Sequence, residues 1–149
     1  MAMANMPCLK ATIMETNRIR PGQFVLNKYA GEAFEFKDYA LPEGTDVMHA
    51  HVLAHYMEEF YPDPFSFVPS RFLESGKFAP KTDGTFGGGT HICLGRNYAM
   101  FQSTLIVAHV LKHYDIHFEK SPSFDVRVTY NGGRLEEDIL AKLTPRVVS

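Results

Sequence analysis

The sequence predicts an α+β fold, mainly helical with short strands, and three observations carry that prediction. A helical pattern runs from Met6 to Ile19, where Leu9, Ile13 and Met14 recur at helical spacing and Pro21-Gly22 stops it. A longer helical pattern spans Leu94 to Tyr114, with Ala99, Ile106 and Val110 among its apolar positions. Between the two lie roughly seventy residues of short strand-like runs and irregular loop, an arrangement uncommon in a self-sufficient compact domain. Both helices then need apolar partners that the intervening chain hardly supplies, so exposed hydrophobic surface is expected.

Composition narrows the class. The 149 residues are 45% hydrophobic with a formal net charge of -2, which describes a soluble globular chain of about one domain. There is neither a basic nucleic-acid footprint nor an acidic tail, so nucleic acid is not an expected partner. No stretch approaches the roughly 18 continuous apolar residues of a membrane span, and the N-terminus lacks the regions of a signal peptide. Taken as complete, the chain is expected to be cytoplasmic. Cys8 and Cys93 form at most one disulfide, and a reducing compartment is the simpler expectation.

Each segment in turn supports the fold class. Within the first helix Glu15 and Arg18 lie three apart on one face, a pair that is usually a solvated surface contact. Phe24-Val25-Leu26, Phe34-Glu35-Phe36 and Asp46-Val47-Met48 read as short strands, separated by Gly31-Glu32 and by Leu41-Pro42-Glu43-Gly44-Thr45. The stretch from Asp63 to Phe72 is rich in proline and aromatics, which suits a rigid irregular loop pinned by ring burial. Residues Glu74 to Thr85 form a short polar connection. After the long helix, Asp115-Ile116-His117-Phe118 alternates like a strand.

Two sets of histidines invite a metal reading. His49, His51 and His55 suit neither one strand face nor one helix face, and no carboxylate or thiolate completes them. His109, His113 and His117 are spaced by four, but the strand-like run that follows takes His117 out of the helix, leaving a solvated face as the simpler reading.

The chemistry is concentrated in Phe86-Gly87-Gly88-Gly89-Thr90-His91-Ile92-Cys93-Leu94-Gly95-Arg96-Asn97-Tyr98-Ala99. Three glycines free the backbone for positive φ and for close approach to a flat partner. Cys93 follows them at the N-terminus of the long helix, where the helix dipole favours a negatively charged sulfur, the form that ligates metals. No Gly-Lys-Ser/Thr follows, which excludes a phosphate cradle. One thiolate cannot build a usual zinc or iron–sulfur site, but it can supply the single axial protein ligand of haem iron.

Phe86, Gly89, Cys93, Gly95 and Ala99 fall on the pattern Phe-x-x-Gly-x-[basic]-x-Cys-x-Gly-x-x-x-Ala, which resembles the haem-binding loop of the cytochrome P-450 family. Met6 to Pro21 resembles the family's Glu-x-x-Arg helix and the residues that lead into it, with Asn17 where leucine is usual, and Pro69-Ser70-Arg71-Phe72 its Pro-x-Arg-Phe signature. The three signatures occur in the family's order, the tail with Val126-Arg127-Val128, Asn131-Gly132-Gly133 and Leu143-Thr144-Pro145-Arg146 resembles the family's C-terminal strands, and the resemblance extends from Met6 to Arg146, strongest to retinoid- and sterol-oxidising members. It implies that residues 1–149 are a partial domain, the C-terminal haem-binding portion of the fold. Cys93 would then be the axial ligand of the iron of haem b, with Phe86, Gly89 and Gly95 shaping the loop around it. His91 stands at the family's basic propionate contact, and Lys28 where many members place an arginine for the same purpose. Thr85 replaces the proline that commonly precedes the loop phenylalanine. Glu15, Arg18 and Arg71 are implied to form a buried structural cluster, not catalytic machinery.

The activity so implied is that of a haem-thiolate monooxygenase, which inserts one atom of O2 into a small apolar substrate using electrons from a redox partner. Arg96 is a candidate docking charge for that partner. The family's distal helix, its acid–alcohol pair and most of the substrate pocket have no counterpart in these residues, and an upstream membrane anchor would also lie outside them. No catalytic residue is therefore assigned in this portion. A second reading from a different class is a non-catalytic haem-binding remnant that keeps the ligand and lacks oxygen activation.

Overall fold

Helix α1 (Pro7–Ile19) begins on a proline, whose missing N–H costs nothing at a first helical turn and whose φ is already helical. It ends at Arg20, whose amide bonds to the Thr16 carbonyl, while Tyr56 Oη donates to the Ile19 carbonyl at 3.0 Å and satisfies another orphan acceptor. The computed structural model describes residues 6–73, 84–120, 126–129, 132–135 and 138–147. The most buried stripe of α1 is not the apolar one. Ala11, Glu15 and Arg18, spaced by four and three, face inward and are at most 1% exposed, whereas Leu9 and Met14 are half-buried.

Four two-stranded antiparallel sheets follow among the described residues. Strand β1 (Leu26–Tyr29) pairs with β4 (Asp46–His49), setting Lys28 opposite Val47, and β2 (Phe34–Phe36) forms a hairpin with β3 (Tyr39–Leu41). Two details differ from the sequence reading. Phe24 and Val25 precede the paired strand, because the ladder runs from Leu26 to Tyr29 and is closed by Ala30 N–H to the Thr45 carbonyl. Strand β3 is formed by residues that lack strand alternation, held in place by the hairpin turn in which Lys37 takes a φ of 53°.

Short 3-10 segments, His51–Tyr56 and Pro69–Phe72, then pack against α1. Helix α2 (Arg96–His113) packs against α1 and begins two residues later than its pattern suggests, since Leu94 sits in a turn and Gly95 is the N-cap. It passes directly into β5 (Tyr114–Phe118), which pairs with β8 (Ala141–Pro145), while β6 (Val126–Thr129) pairs with β7 (Gly132–Leu135). His117 accordingly lies in β5, outside the helix. Of the expected polar connection, residues 74–83 lie outside the described residues, as does Asn131, while Gly132 and Gly133 open β7.

The core is small and sits under α1: Ala11, Ile13, Ala30, Val52 and Tyr61, with His51, His55 and the charged cluster. Helix α2 contributes one buried residue, Thr104, whose hydroxyl bonds back to the Met100 carbonyl. Tyr98, Phe101, Leu105, Ile106, Val107 and Leu111 all face solvent, the exposed hydrophobic surface expected where a helix lacks apolar partners. No helix among the described residues is long and apolar enough to cross a membrane.

Candidate functional site

The glycine loop is built from two tight turns. Gly87 N–H bonds to the Gly84 carbonyl at 2.9 Å, and Gly87 and Gly89 take φ angles of 73° and 61°, which only glycine adopts without strain. Cys93 N–H reaches back to the Phe86 carbonyl at 2.8 Å and closes the loop, so the thiol is presented just ahead of α2. A bond from Arg96 N–H to the Cys93 carbonyl and one from Ala99 N–H to the Gly95 carbonyl start the helix.

Gly95 and Gly88 have a different status from their neighbours. Neither has a positive φ: Gly95 has a φ of −81° and Gly88 a φ of −159°. An added Cβ would meet nothing closer than Cys93 Sγ at 3.8 Å for the first, and nothing within 4 Å for the second. No backbone or packing demand inside the chain requires glycine at either position. What the small size of Gly95 provides is a bare backbone surface beside Sγ, and that of Gly88 an open stretch of the same loop.

The donor chemistry fits haem. Cys93 is a free, exposed thiol, as is Cys8, and no group of three His, Cys, Asp or Glu able to hold a metal ion occurs among the described residues. One thiolate without companions suits an iron that arrives with its equatorial ligands already supplied by a porphyrin. His91 and Phe86 flank the thiol on the same loop, His91 exposed and Phe86 half-buried. Lys28 is exposed on β1, two residues from Leu26, whose Cδ1 lies 4.0 Å from a Cβ built on Gly87. Leu26 and Lys28 share one face of the strand, which brings the lysine to the side of the sheet that meets the loop.

Behind the loop lies the charged cluster. Arg18 Nε and Nη2 donate to Glu15 Oε2 and Oε1 at 2.7 and 2.9 Å, a two-pronged contact with both side chains buried. Its remaining donors reach the carbonyls of His55 and Pro64, each at 2.7 Å, and of Ser66 at 3.2 Å. Glu15 Oε1 also accepts from Val68 N–H at 2.8 Å and lies 3.4 Å from Arg71 Nε, while Arg71 Nη2 donates to the Asp63 carbonyl at 2.8 Å. The structure thus brings Glu15, Arg18 and Arg71 together, with the carbonyl groups absorbing the positive excess. Sequence reasoning missed Tyr61, fully buried with the Arg18 guanidinium 5.0 Å above its ring. Its position between Phe60 and Pro62 was the available signal.

Two more buried or half-buried groups lie nearby, His51 against the start of the glycine loop and Tyr56 against α1. His51 is buried under Gly84, where an added Cβ would stand 3.1 Å from the ring and 3.3 Å from the His51 carbonyl. Burial pushes the His51 imidazole below its ordinary pKa, a backbone hydrogen bond at His49 opposing and the charge of His49 adding to the effect. Burial likewise raises Tyr56 above the usual phenol value, against the pull of Arg20 and Arg18, which keeps it a donor to α1. Finally, Met14, Asn17, Thr85, Phe86, Arg96, Asn97 and Met100 line a cavity of about 150 Å³ between α1, the loop and α2. Asn17 and Thr85, the two departures from the loop and helix patterns, therefore meet at one place.

The described fold presents a lone thiol on a glycine-bearing loop at the head of a long helix, together with a buried Glu–Arg–Arg cluster, and comparison with known proteins identifies its family. A family model described as Cytochrome P450 matches residues 1–129. The 135B1-type cytochrome P450 of Mycobacterium tuberculosis is 35% identical over 108 residues, 72% of this chain and 23% of that protein. Taxane 10-beta-hydroxylase of Taxus cuspidata is 30% identical over 112 residues, 74% of this chain and 22% of that protein. Cyanobacterial CYP120A1 with retinoic acid bound has the same fold, with a TM-score of 0.83 at 24% identity over 97% of this chain and 34% of that one. The chain belongs to the cytochrome P450 family. It spans about a quarter of the length of these curated relatives.

Proposed function

We propose that this chain is the haem-binding portion of a haem-thiolate monooxygenase, with Cys93 as the axial ligand of the iron. The observation that carries the reading is the Cys93 thiol: exposed, without companion ligands among the described residues, and set beside Gly95, a glycine that the chain's own packing does not require. Bound haem b supplies the iron at which O2 is taken up and one of its atoms passes to a small apolar organic substrate, with electrons delivered by a redox partner.

The chain's own residues hold that cofactor. The Phe86 carbonyl fixes the Cys93 amide and with it the direction in which Sγ leaves the loop. Gly88 and Gly95 let the porphyrin face approach, and Gly87 and Gly89 supply the turns. His91 and Lys28, both exposed, act as basic partners of the two propionates, the lysine as a point charge and not a fork. Glu15, Arg18 and Arg71 hold the Asp63–Val68 segment behind the loop through its carbonyls and one amide. Arg96 offers a docking charge for the electron donor, and the apolar sides of α2 receive the helices that complete the fold.

Haem titration tests the reading. The chain is expected to take up one haem per molecule, to lose that uptake in Cys93→Ala and to keep it in Cys8→Ala. Equal uptake by all three would mean that the thiol is not the ligand.

A further inference from the structure

The last turns of α2 hold two histidines for which the haem reading has no use. His109 is exposed and His113 half-buried, and their ring centroids lie 4.6 Å apart with planes inclined by 43°. Among the described residues neither ring takes part in a hydrogen bond or ion pair. Both lie inside the helix, which ends at Tyr114 with a bond from its amide to the Val110 carbonyl, so the spacing of four puts the rings on one face. The His113 carbonyl is itself held by Arg146 N–H at 2.7 Å, so the second histidine is anchored at the backbone.

Ring separation distinguishes the kinds of ion such a pair suits. An imidazole nitrogen binds a borderline divalent ion at about 2.0–2.1 Å, which places the ring centroid about 3.2 Å from it. Two rings at right angles about the ion, as in square-planar or octahedral sites, then have centroids about 4.5 Å apart, against about 5.2 Å at the tetrahedral angle. The observed 4.6 Å puts both rings within reach of one shared ion, nearer the right-angled value than the tetrahedral one. His49 and His51, with centroids 6.1 Å apart, match neither. The carbonyl end of the helix dipole adds a field that favours a cation at this turn.

We propose that His109 and His113 form a two-imidazole chelate for a divalent transition ion of the Ni2+ or Cu2+ class, its other positions filled by water. The site is independent of the haem loop at the opposite end of α2. Bridging one turn, the ion ties down the end of the helix from which β5 departs and stabilises the folded chain by mass action.

Calorimetric titration of the full chain with NiCl2, both thiols alkylated so that sulfur does not compete, tests the proposal. His109→Gln and His113→Gln are each expected to weaken Ni2+ binding by about tenfold or more, and His49→Gln to leave it unchanged. Circular dichroism checks that all three variants keep the helix content of the parent chain. Failure of the parent chain to bind Ni2+, or undiminished binding in the His109 and His113 variants, would overturn it.

Discussion

Glu15 and Arg18, one turn apart on α1, meet through two hydrogen bonds of 2.7 and 2.9 Å at a point where neither is more than 1% exposed. A buried pair of this kind adds little net stability over an apolar pair, but removing one member leaves the other charged and unpartnered. Glu15→Gln strands two guanidinium groups and is expected to lower the unfolding free energy by about 3–5 kcal/mol. Arg71→Ala removes one bond to the Asp63 carbonyl and one 3.4 Å contact to Glu15, so a smaller loss of about 1–3 kcal/mol is expected. Urea unfolding midpoints of the two variants check the order.

The glycines separate a demand of the fold from a demand of the cofactor. Gly89→Ala forces a side chain into a φ of 61° and is expected to destabilise the loop by about 1–2 kcal/mol with or without haem. Gly95→Val meets no strained φ and no close neighbour, so unfolding of the haem-free chain is expected to change by less than about 1 kcal/mol. Haem affinity is expected to fall about tenfold or more, because the added branches occupy the surface beside Sγ. Parallel unfolding and haem titrations distinguish the two cases.

His51 makes stability depend on pH. Its folded-state pKa is lowered by burial, so the unfolded chain holds the proton more readily. The stabilising contribution of the neutral ring is complete above the unfolded value, near 6.5, and is lost as pH falls through the lower folded value. Acidification below neutrality is therefore expected to weaken the chain, and His51→Gln to flatten that slope. Urea unfolding across this range reads it, and an unchanged slope in the variant would assign the pH dependence elsewhere.

The sequence made some of this visible and hid the rest for physical reasons. Helical spacing exposed α1, α2 and the Glu15–Arg18 register, and alternation exposed β5, because these signals are local. The pairing of β5 with β8, clasped by the Asp115–Arg146 ion pair at 2.7 Å, joins segments some distance apart in the chain and has no local signature. The carbonyls of His55, Pro64 and Ser66 that accept from Arg18 are equally invisible, since every residue carries a carbonyl and only the fold selects which ones converge. The inward face of α1 was misleading: periodicity marks apolar residues, whereas this helix buries a salt bridge.

The central claim is that Cys93 ligates haem iron through its thiolate, and the carbon monoxide difference spectrum of the reduced, haem-loaded chain tests it most directly. A strongly red-shifted Soret band that disappears in Cys93→Ala is the predicted result. Bound haem whose carbon monoxide complex absorbs at the unshifted position, unchanged by that substitution, would contradict it.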